Sequence, residues 1–219
     1  MKIMKQVNRR RVIQWLLVPI ALIILGLAWK FPLLGFLVPI VMLLGIVGSF
    51  FKGRYVCGHL CPRGAFCDRL LLRVSPKKPI PAFLKNLYFR WAVVVGLMTF
   101  MAFRLFDQPL SWTHTGLVFW QMCLITTMIG VILAIFIHHR GWCTFCPIGT
   151  LSNAIGGDKD PLQLDRPRCI LCGKCERVCP MQISILQETP QGLLTDRDCI
   201  RCGECVAICP RKALTITSP

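Results

Sequence analysis

The chain has 219 residues, 54% of them hydrophobic and only 16% charged, with a mean hydropathy of +0.58. That is too apolar and too charge-poor for an ordinary soluble domain, where about 25% of residues are charged. A net charge of +16 would suit a nucleic-acid binder, but from Asp158 onward nine Lys/Arg meet eight Asp/Glu, so the excess lies beside the apolar stretches and no nucleic-acid partner is expected.

The chain opens on a basic segment, residues 1–11, holding Lys2, Lys5, Arg9, Arg10 and Arg11. Four apolar runs follow at 12–29, 33–51, 87–106 and 117–137, each of a length that crosses a hydrocarbon core of about 30 Å. The basic start and apolar centre of the first run also fit an export signal, with a hint of twin arginines. Yet no small-residue cleavage site follows and three more runs do, so an uncleaved span is expected. Nine Lys/Arg lie from Lys52 to Arg90, whereas the connections around Lys30 and from Arg104 to Gly116 hold only those two. Both termini, the 52–90 loop and everything after Ile137 are therefore expected on the cytoplasmic face of a multi-pass inner-membrane protein.

After the second run comes Arg54-Tyr-Val-Cys57-Gly-His59-Leu-Cys61-Pro-Arg63-Gly64, and after the fourth Arg140-Gly-Trp-Cys143-Thr-Phe-Cys146-Pro-Ile-Gly149. Each unit is two spans followed by R-x-x-C-x(2 or 3)-C-P-x-G. Residues 12–66 and 88–149 thus read as parallel repeats within a transmembrane domain 12–149, related by an axis along the membrane normal. Such an axis brings Cys57, Cys61, Cys143 and Cys146 together at the inner surface, where four thiolates can hold a third cluster of 4Fe–4S type. A redox-active dithiol, a single metal ion, or turns in which Cys-Pro-x-Gly stops a helix are the alternatives. Two centres, one per pair, would need further ligands such as Cys67 or His59. Cys67 falls in an amphipathic stretch read as an interfacial helix, and Cys123 inside the fourth run; both read first as packing thiols.

A linker, 150–164, leads to residues 165–219. There Cys169, Cys172, Cys175, Cys179-Pro180 and Cys199, Cys202, Cys205, Cys209-Pro210 each spell C-x2-C-x2-C-x3-C-P, the two-cluster ferredoxin spacing in which the fourth cysteine serves the other cluster. Cluster I takes Cys169, Cys172, Cys175 and Cys209; cluster II takes Cys199, Cys202, Cys205 and Cys179. Zinc is the competing reading of spaced cysteines, and two complete runs with Cys-Pro in both favour iron–sulfur. Such thiolates need a reducing compartment, which agrees with the topology read from charge. The fold class is an α-helical polytopic membrane protein with four transmembrane helices, plus an α+β two-cluster ferredoxin domain of paired β-α-β character.

From Val12 to Pro210 these features resemble the NapH-type membrane quinol dehydrogenase component of periplasmic nitrate reductase systems. The wider group includes NosR-type and CcoG-type membrane ferredoxins; the chain lacks the flavin-binding domain of the former and the long C-terminal extension of the latter. The resemblance implies an electron-transfer subunit in the lipid bilayer, passing electrons between the quinone pool and a partner oxidoreductase in a complex with other redox subunits. Rival readings are a reductive maturation factor for a metalloenzyme and a ferredoxin-bearing membrane anchor.

Quinol oxidation releases protons as well as electrons, so its site needs a base. His59, His138 and His139 are candidates, with Arg63 and Asp68 placed to hydrogen-bond ring oxygens; polar residues facing headgroups are the plainer alternative. Arg104, Asp107 and His114 could frame an outer site, though a solvated loop accounts for them. No histidine lies mid-span, so no haem is expected.

Overall fold

The computed structural model describes residues 2–107, 111–189 and 191–216. Residues 108–110, in the outer connection expected before the fourth run, and 217–219, at the end of the ferredoxin segment, lie outside the described residues, as do 1 and 190.

Helix α1 (Lys2–Leu27) starts ten residues ahead of the first apolar run. Lysine and arginine are good helix formers, so the basic segment is its opening turns rather than a separate tail. A 3₁₀ turn (Pro32–Phe36) leads into α2 (Leu37–Lys52). Two short helices follow, α3 (Tyr55–His59) and α4 (Pro62–Arg69), then a 3₁₀ turn at Leu71–Arg73 and α5 (Ala82–Lys85). Helix α6 (Leu87–Phe106) is capped by the Asn86 side chain accepting from Tyr88 N, and α7 (Trp112–Phe136) by Ser111 accepting from His114 N. Short helices α8 (Gly141–Phe145) and α9 (Pro147–Gly156) complete the second unit. Cys-Pro-x-Gly therefore starts a helix in both units rather than stopping one: Pro62 and Pro147 occupy the first turn, where a missing N–H costs nothing.

The spans Ile3–Leu27, Pro32–Lys52, Leu87–Phe106 and Trp112–Phe136 are long and apolar enough to cross a membrane. Their outward faces carry large exposed apolar side chains such as Leu16, Leu43, Val95, Phe103 and Ile132, which suit a lipid environment. Both connections away from the cysteines meet at one end of the bundle. There a Cβ on Gly35 would strike the carbonyl of Gly116, and one on Gly116 the carbonyl of Pro32; small residues let these backbones touch.

At the other end the stretch read as a linker is structured. Helix α9 covers residues 147–156 and docks on α2, with Ser152 donating to Gly45 O. Strand β1 (Leu162–Leu164) then pairs antiparallel with β2 (Leu214–Ile216), Gln163 opposite Thr215. Helices α10 (Lys174–Arg177) and α11 (Glu204–Ile208) each lie within one cysteine run, carrying Cys175 and Cys205 and ending before Cys179 and Cys209. The paired β-α-β expectation holds in part: among the described residues one two-stranded sheet forms, and Leu193 adds an isolated antiparallel bridge to Gln163 of β1. The ferredoxin core is built from Leu162, Leu164, Met181, Ile183, Ile185, Leu194, Ile200 and Leu214, and Ile3 and Cys143 of the membrane half pack against it.

Candidate functional site

The cysteines surround three cavities. One is lined by Cys169, Cys172, Cys175 and Cys209, and a second by Cys199, Cys202, Cys205 and Cys179. These are the two crossed sets expected from the spacing. Among the described residues no three His, Cys, Asp or Glu side chains converge on a point suited to one metal ion; the thiols face volumes, as the corners of a cubane require.

The two loops are built alike. Leu171 (φ 53°) and Gly173 (φ 66°) in one match Arg201 (φ 53°) and Gly203 (φ 76°) in the other, and beyond the fourth cysteines Gln182 (φ 52°) matches Lys212 (φ 51°). Left-handed residues alternating with right-handed ones turn successive N–H groups inward, forming a nest for anions such as cluster sulfides and thiolates. Ala213 N already donates to Cys209 Sγ at 3.3 Å. Burial pushes the Cys202 thiol up to about 12 and raises Cys179, Cys199 and Cys205, so these thiols stay protonated unless a metal takes the proton's place.

The third cavity, about 170 Å³, lies at the cysteine-bearing end of the bundle. Cys57, Cys61, Cys143 and Cys146 line it, with Cys123, Arg54, Arg63 and Arg140 and apolar side chains of the spans. The two units meet across a local pseudo-twofold axis. Arg54 donates to Cys143 O at 2.7 Å, and Arg140 to Cys57 O at 3.3 Å, so each unit's arginine holds the first cysteine of the other. The two glycines make room: a Cβ on Gly149 would sit 2.6 Å from Arg54 Nη2, and one on Gly64 would sit 3.4 Å from Arg140 Nη1. Both Cys-Pro-x-Gly glycines thus face the crossing arginine of the opposite unit.

Cationic donors point at the sulfurs. Arg63 Nη2 donates to Cys146 Sγ at 3.1 Å, and Arg140 Nη1 lies 3.7 Å from Cys143 Sγ. A hydrogen bond from Cys67, reinforced by Arg140, holds the Cys143 thiol below its usual range against burial; the same bond, together with burial, drives Cys67 up. Burial pushes Cys61 up to about 12. Cys67, a packing thiol by its sequence context, is buried with Leu71 and Ala134 and lies close to Cys143. Four thiolates beside three arginines suit a group of net negative charge, as a thiolate-ligated cluster is.

Two of these arginines are anchored by carboxylates, Arg140 by the buried Asp68 and Arg54 by the half-buried Asp198, whereas Arg63 donates to Thr126 Oγ1 at 2.8 Å. Asp68 accepts from Arg140 Nη2 at 2.7 Å and Arg10 Nη2 at 2.5 Å, with Gln14 Nε2 also at 2.7 Å. Asp198, next to Cys199, accepts from Arg54 at 2.6 Å and from Arg90 at 2.8 and 2.9 Å. Burial would raise both acids, but Arg140 and Arg10 hold Asp68, and Arg54 and Arg90 hold Asp198, below the usual carboxylate range. No local sequence signal marks these partners, which lie far apart in the chain.

The structure does not gather the five candidate quinol residues. Of them only Arg63 lines the large cavity. Asp68 is committed to its two arginines. His59 is stacked on Tyr55 with ring centroids 3.8 Å apart, its Nδ1 3.0 Å from Tyr55 O. The His138 and His139 rings pack tilted with centroids 4.2 Å apart, and His139 Nε2 lies 3.9 Å from Asp68 Oδ1. Burial lowers all three histidines, His59 and His138 to about 4 and His139 to about 3. The outer group is likewise internally bonded, Arg104 to Gln121 and His114 to the Arg104 carbonyl.

The ferredoxin half seats its second loop on the membrane half. A Cβ on Gly58 would lie 2.5 Å from Ile200 O. Arg201 donates to the carbonyls of Gly157, Lys159, Asp160 and Cys199, and Glu204 accepts from Arg10 and Arg11. Gln182 bridges Ile80 N and Lys78 O.

Comparison with known proteins agrees with this layout. A 4Fe–4S dicluster domain family matches residues 168–214, and a 4Fe–4S binding domain family matches 34–81 and 119–161, one stretch around each Cys-Pro unit. Two uncharacterized proteins of Methanocaldococcus jannaschii are similar. One is 27% identical over 163 residues, covering 69% of this chain and 61% of its own length. The other is 28% identical over 160 residues, covering 67% and 66%. The chain thus spans about two thirds of the length of these relatives. No solved structure matches. The family matches and the four apolar helices support an iron–sulfur protein of 4Fe–4S ferredoxin type, membrane-associated and suited to electron transfer.

Proposed function

We propose that this chain is the membrane-embedded electron-transfer subunit of a quinol-linked complex of the NapH type, with its ferredoxin half and both termini in the cytoplasm. Cys169, Cys172, Cys175 and Cys209 hold cluster I, and Cys199, Cys202, Cys205 and Cys179 hold cluster II. Cys57, Cys61, Cys143 and Cys146 hold a third 4Fe–4S cluster, and the apolar upper part of the same cavity admits a quinol from the bilayer. The clusters supply one-electron redox chemistry. The chain's own residues position them: Arg54 and Arg140 cross-brace the two units, and Arg63 places positive charge at Cys146.

The observation that carries this reading is the seating of the cluster II loop on the membrane tetrad. Gly58, between Cys57 and Cys61, lies against Ile200, between Cys199 and Cys202, and Cys143 packs on the ferredoxin core. These contacts support an electron path from the membrane tetrad through cluster II to cluster I. Purified protein should hold about twelve irons, three 4Fe–4S clusters; about eight would remove the third cluster. In liposomes, a reduced quinol should bleach the cluster absorbance, and failure with every quinol tried would remove the dehydrogenase role.

The proximity of the Cys67 and Cys143 thiols, each of which shifts the other's titration, favours a second reading, a reductive maturation factor working through dithiol chemistry. That reading requires the eight-iron result, with Cys143 open to alkylation in the reduced protein.

A further inference from the structure

The two ferredoxin loops are nearly superposable in sequence and backbone but opposite in surroundings. In the cluster II loop Ile200 is 2% exposed and Arg201 5%, both covered by the membrane half. Their counterparts in the cluster I loop, Ile170 and Leu171, are 56% and 65% exposed. Helix α11 packs on α1, whereas α10 packs on α11. One loop of a symmetric pair is docked on the membrane half, and the other presents the same tip to solvent.

Charge is divided the same way. Residues 165–177 and 208–212, around cluster I, hold six basic and two acidic side chains; the rest of 158–216 holds three basic and six acidic. Both acids at the cluster I end are engaged, Asp165 with Arg168 and Glu176 with Leu186 N. Lys174, Arg211 and Lys212 are exposed, and Ile170, Lys174 and Arg211 line the cluster I cavity itself. An apolar tip beside exposed lysine and arginine complements an acidic surface, the arrangement that steers encounter between redox proteins.

We infer that Ile170 and Leu171, with Lys174, Arg211 and Lys212, form the port where a soluble acidic one-electron redox protein docks. One electron crosses per encounter, the partner's centre being reduced as cluster I is oxidised, or the reverse. This rests on the cluster I assignment above and not on the third cluster or on quinol.

The test uses the full-length holoprotein in detergent, with an acidic plant-type 2Fe–2S ferredoxin as probe and the basic protein cytochrome c as counter-probe. Binding of the oxidised ferredoxin is measured by calorimetry at low and high salt. Electron transfer from dithionite-reduced protein is followed by stopped flow, which bypasses any quinol step. K174E/R211E should weaken ferredoxin binding at least tenfold at low salt, flatten its salt dependence, and strengthen binding of cytochrome c. Leu171→Ser should weaken ferredoxin binding severalfold at every salt concentration. Arg73→Glu, an exposed charge in the membrane half, should change neither. Iron content and cluster EPR spectra, unchanged in all variants, keep a folding defect from imitating the result.

Equal ferredoxin binding by wild type and K174E/R211E overturns the port, as does an equal loss in the Arg73→Glu protein. A dimer that Leu171→Ser converts to a monomer also overturns it, by assigning the tip to a second copy of the chain. Iron content short of eight in the wild type would instead fault the cluster assignment.

Discussion

The ferredoxin half and the membrane half each arrange cysteines around cavities, and they do so by opposite means. In the ferredoxin half, three of each set come from one short loop whose left-handed turns recur in both copies. In the membrane half the four come from two distant hairpins, Cys57/Cys61 and Cys143/Cys146, joined by arginines that cross from one unit to the other. The first arrangement is set by local backbone geometry, the second by buried charge. Damage to buried charge should therefore empty the membrane site and spare the ferredoxin sites, while backbone substitutions in the loops should do the reverse.

The largest effect is expected for Asp68→Ala. It strands Arg140, 1% exposed, and leaves Arg10, 3% exposed, with Glu204 as its remaining carboxylate, and breaking a buried pair from one side costs about 3–5 kcal/mol. The variant should melt well below wild type in detergent and lose about four of its irons, one cluster's worth, while the dicluster EPR signal persists. Loss of all clusters together would show that the ferredoxin half depends on the same clamp. Asp198→Asn is the gentler counterpart, because an amide keeps one acceptor for Arg54 or Arg90. Weakening hydrogen bonds to a charged group costs about 1.5–3 kcal/mol. Since Asp198 adjoins Cys199 and binds Arg90 of α6, the cost should appear as easier loss of cluster II.

The membrane spans were open to sequence reading because apolar runs announce themselves, and the third matches α6 residue for residue at Leu87–Phe106. The early start of α1 was not, because its basic turns lower the hydropathy without disfavouring helix. Nor was the structured 150–156 stretch, whose small polar residues suit a linker as well as a helix pressed on Gly45. The cysteine sets followed from spacing in the ferredoxin half and from the repeat in the membrane half. Asp68 was noticed as a polar neighbour of the Cys-Pro unit, but its role as counter-ion to Arg10 and Arg140 depends on contacts 58 and 72 positions away. The histidines drew attention as bases; burial beside arginines, invisible in one dimension, keeps them neutral.

Between the two Cys-Pro glycines the effect should differ by what each Cβ meets. On Gly64 it would press the backbone carbonyl of Cys57 at 2.9 Å, whereas on Gly149 it would press the end of the Arg54 side chain at 2.6 Å. Overpacking costs about 1–3 kcal/mol. Gly64→Ala should fall at the upper end, since a carbonyl cannot move without moving Cys57. Gly149→Ala should be milder but should loosen the Arg54 brace on Cys143. Melting temperatures of the two variants, read with iron content, separate these outcomes; a larger loss for Gly149→Ala would mean that the Arg54 brace outweighs backbone clash.

The smallest effect sharpens the contrast between the two ferredoxin loops. Gly173 and Gly203 share a left-handed conformation, with φ 66° and 76°, and an alanine there costs about 1–2 kcal/mol from backbone strain alone. Their surroundings differ. A Cβ on Gly173 meets nothing within 4 Å, while one on Gly203 lies 3.4 Å from Val7 of α1. Gly173→Ala should therefore show the strain by itself, destabilising cluster I and leaving the docking of the ferredoxin half untouched. Gly203→Ala should add a small further loss, because Val7 must yield and Glu204, the next residue, holds Arg10 and Arg11. Limited proteolysis between the halves reads that docking directly. Faster cleavage in Gly203→Ala than in Gly173→Ala is the expected result, and equal rates would mean that the covered loop is held by its side-chain ion pairs alone, with backbone fit contributing nothing to the seam.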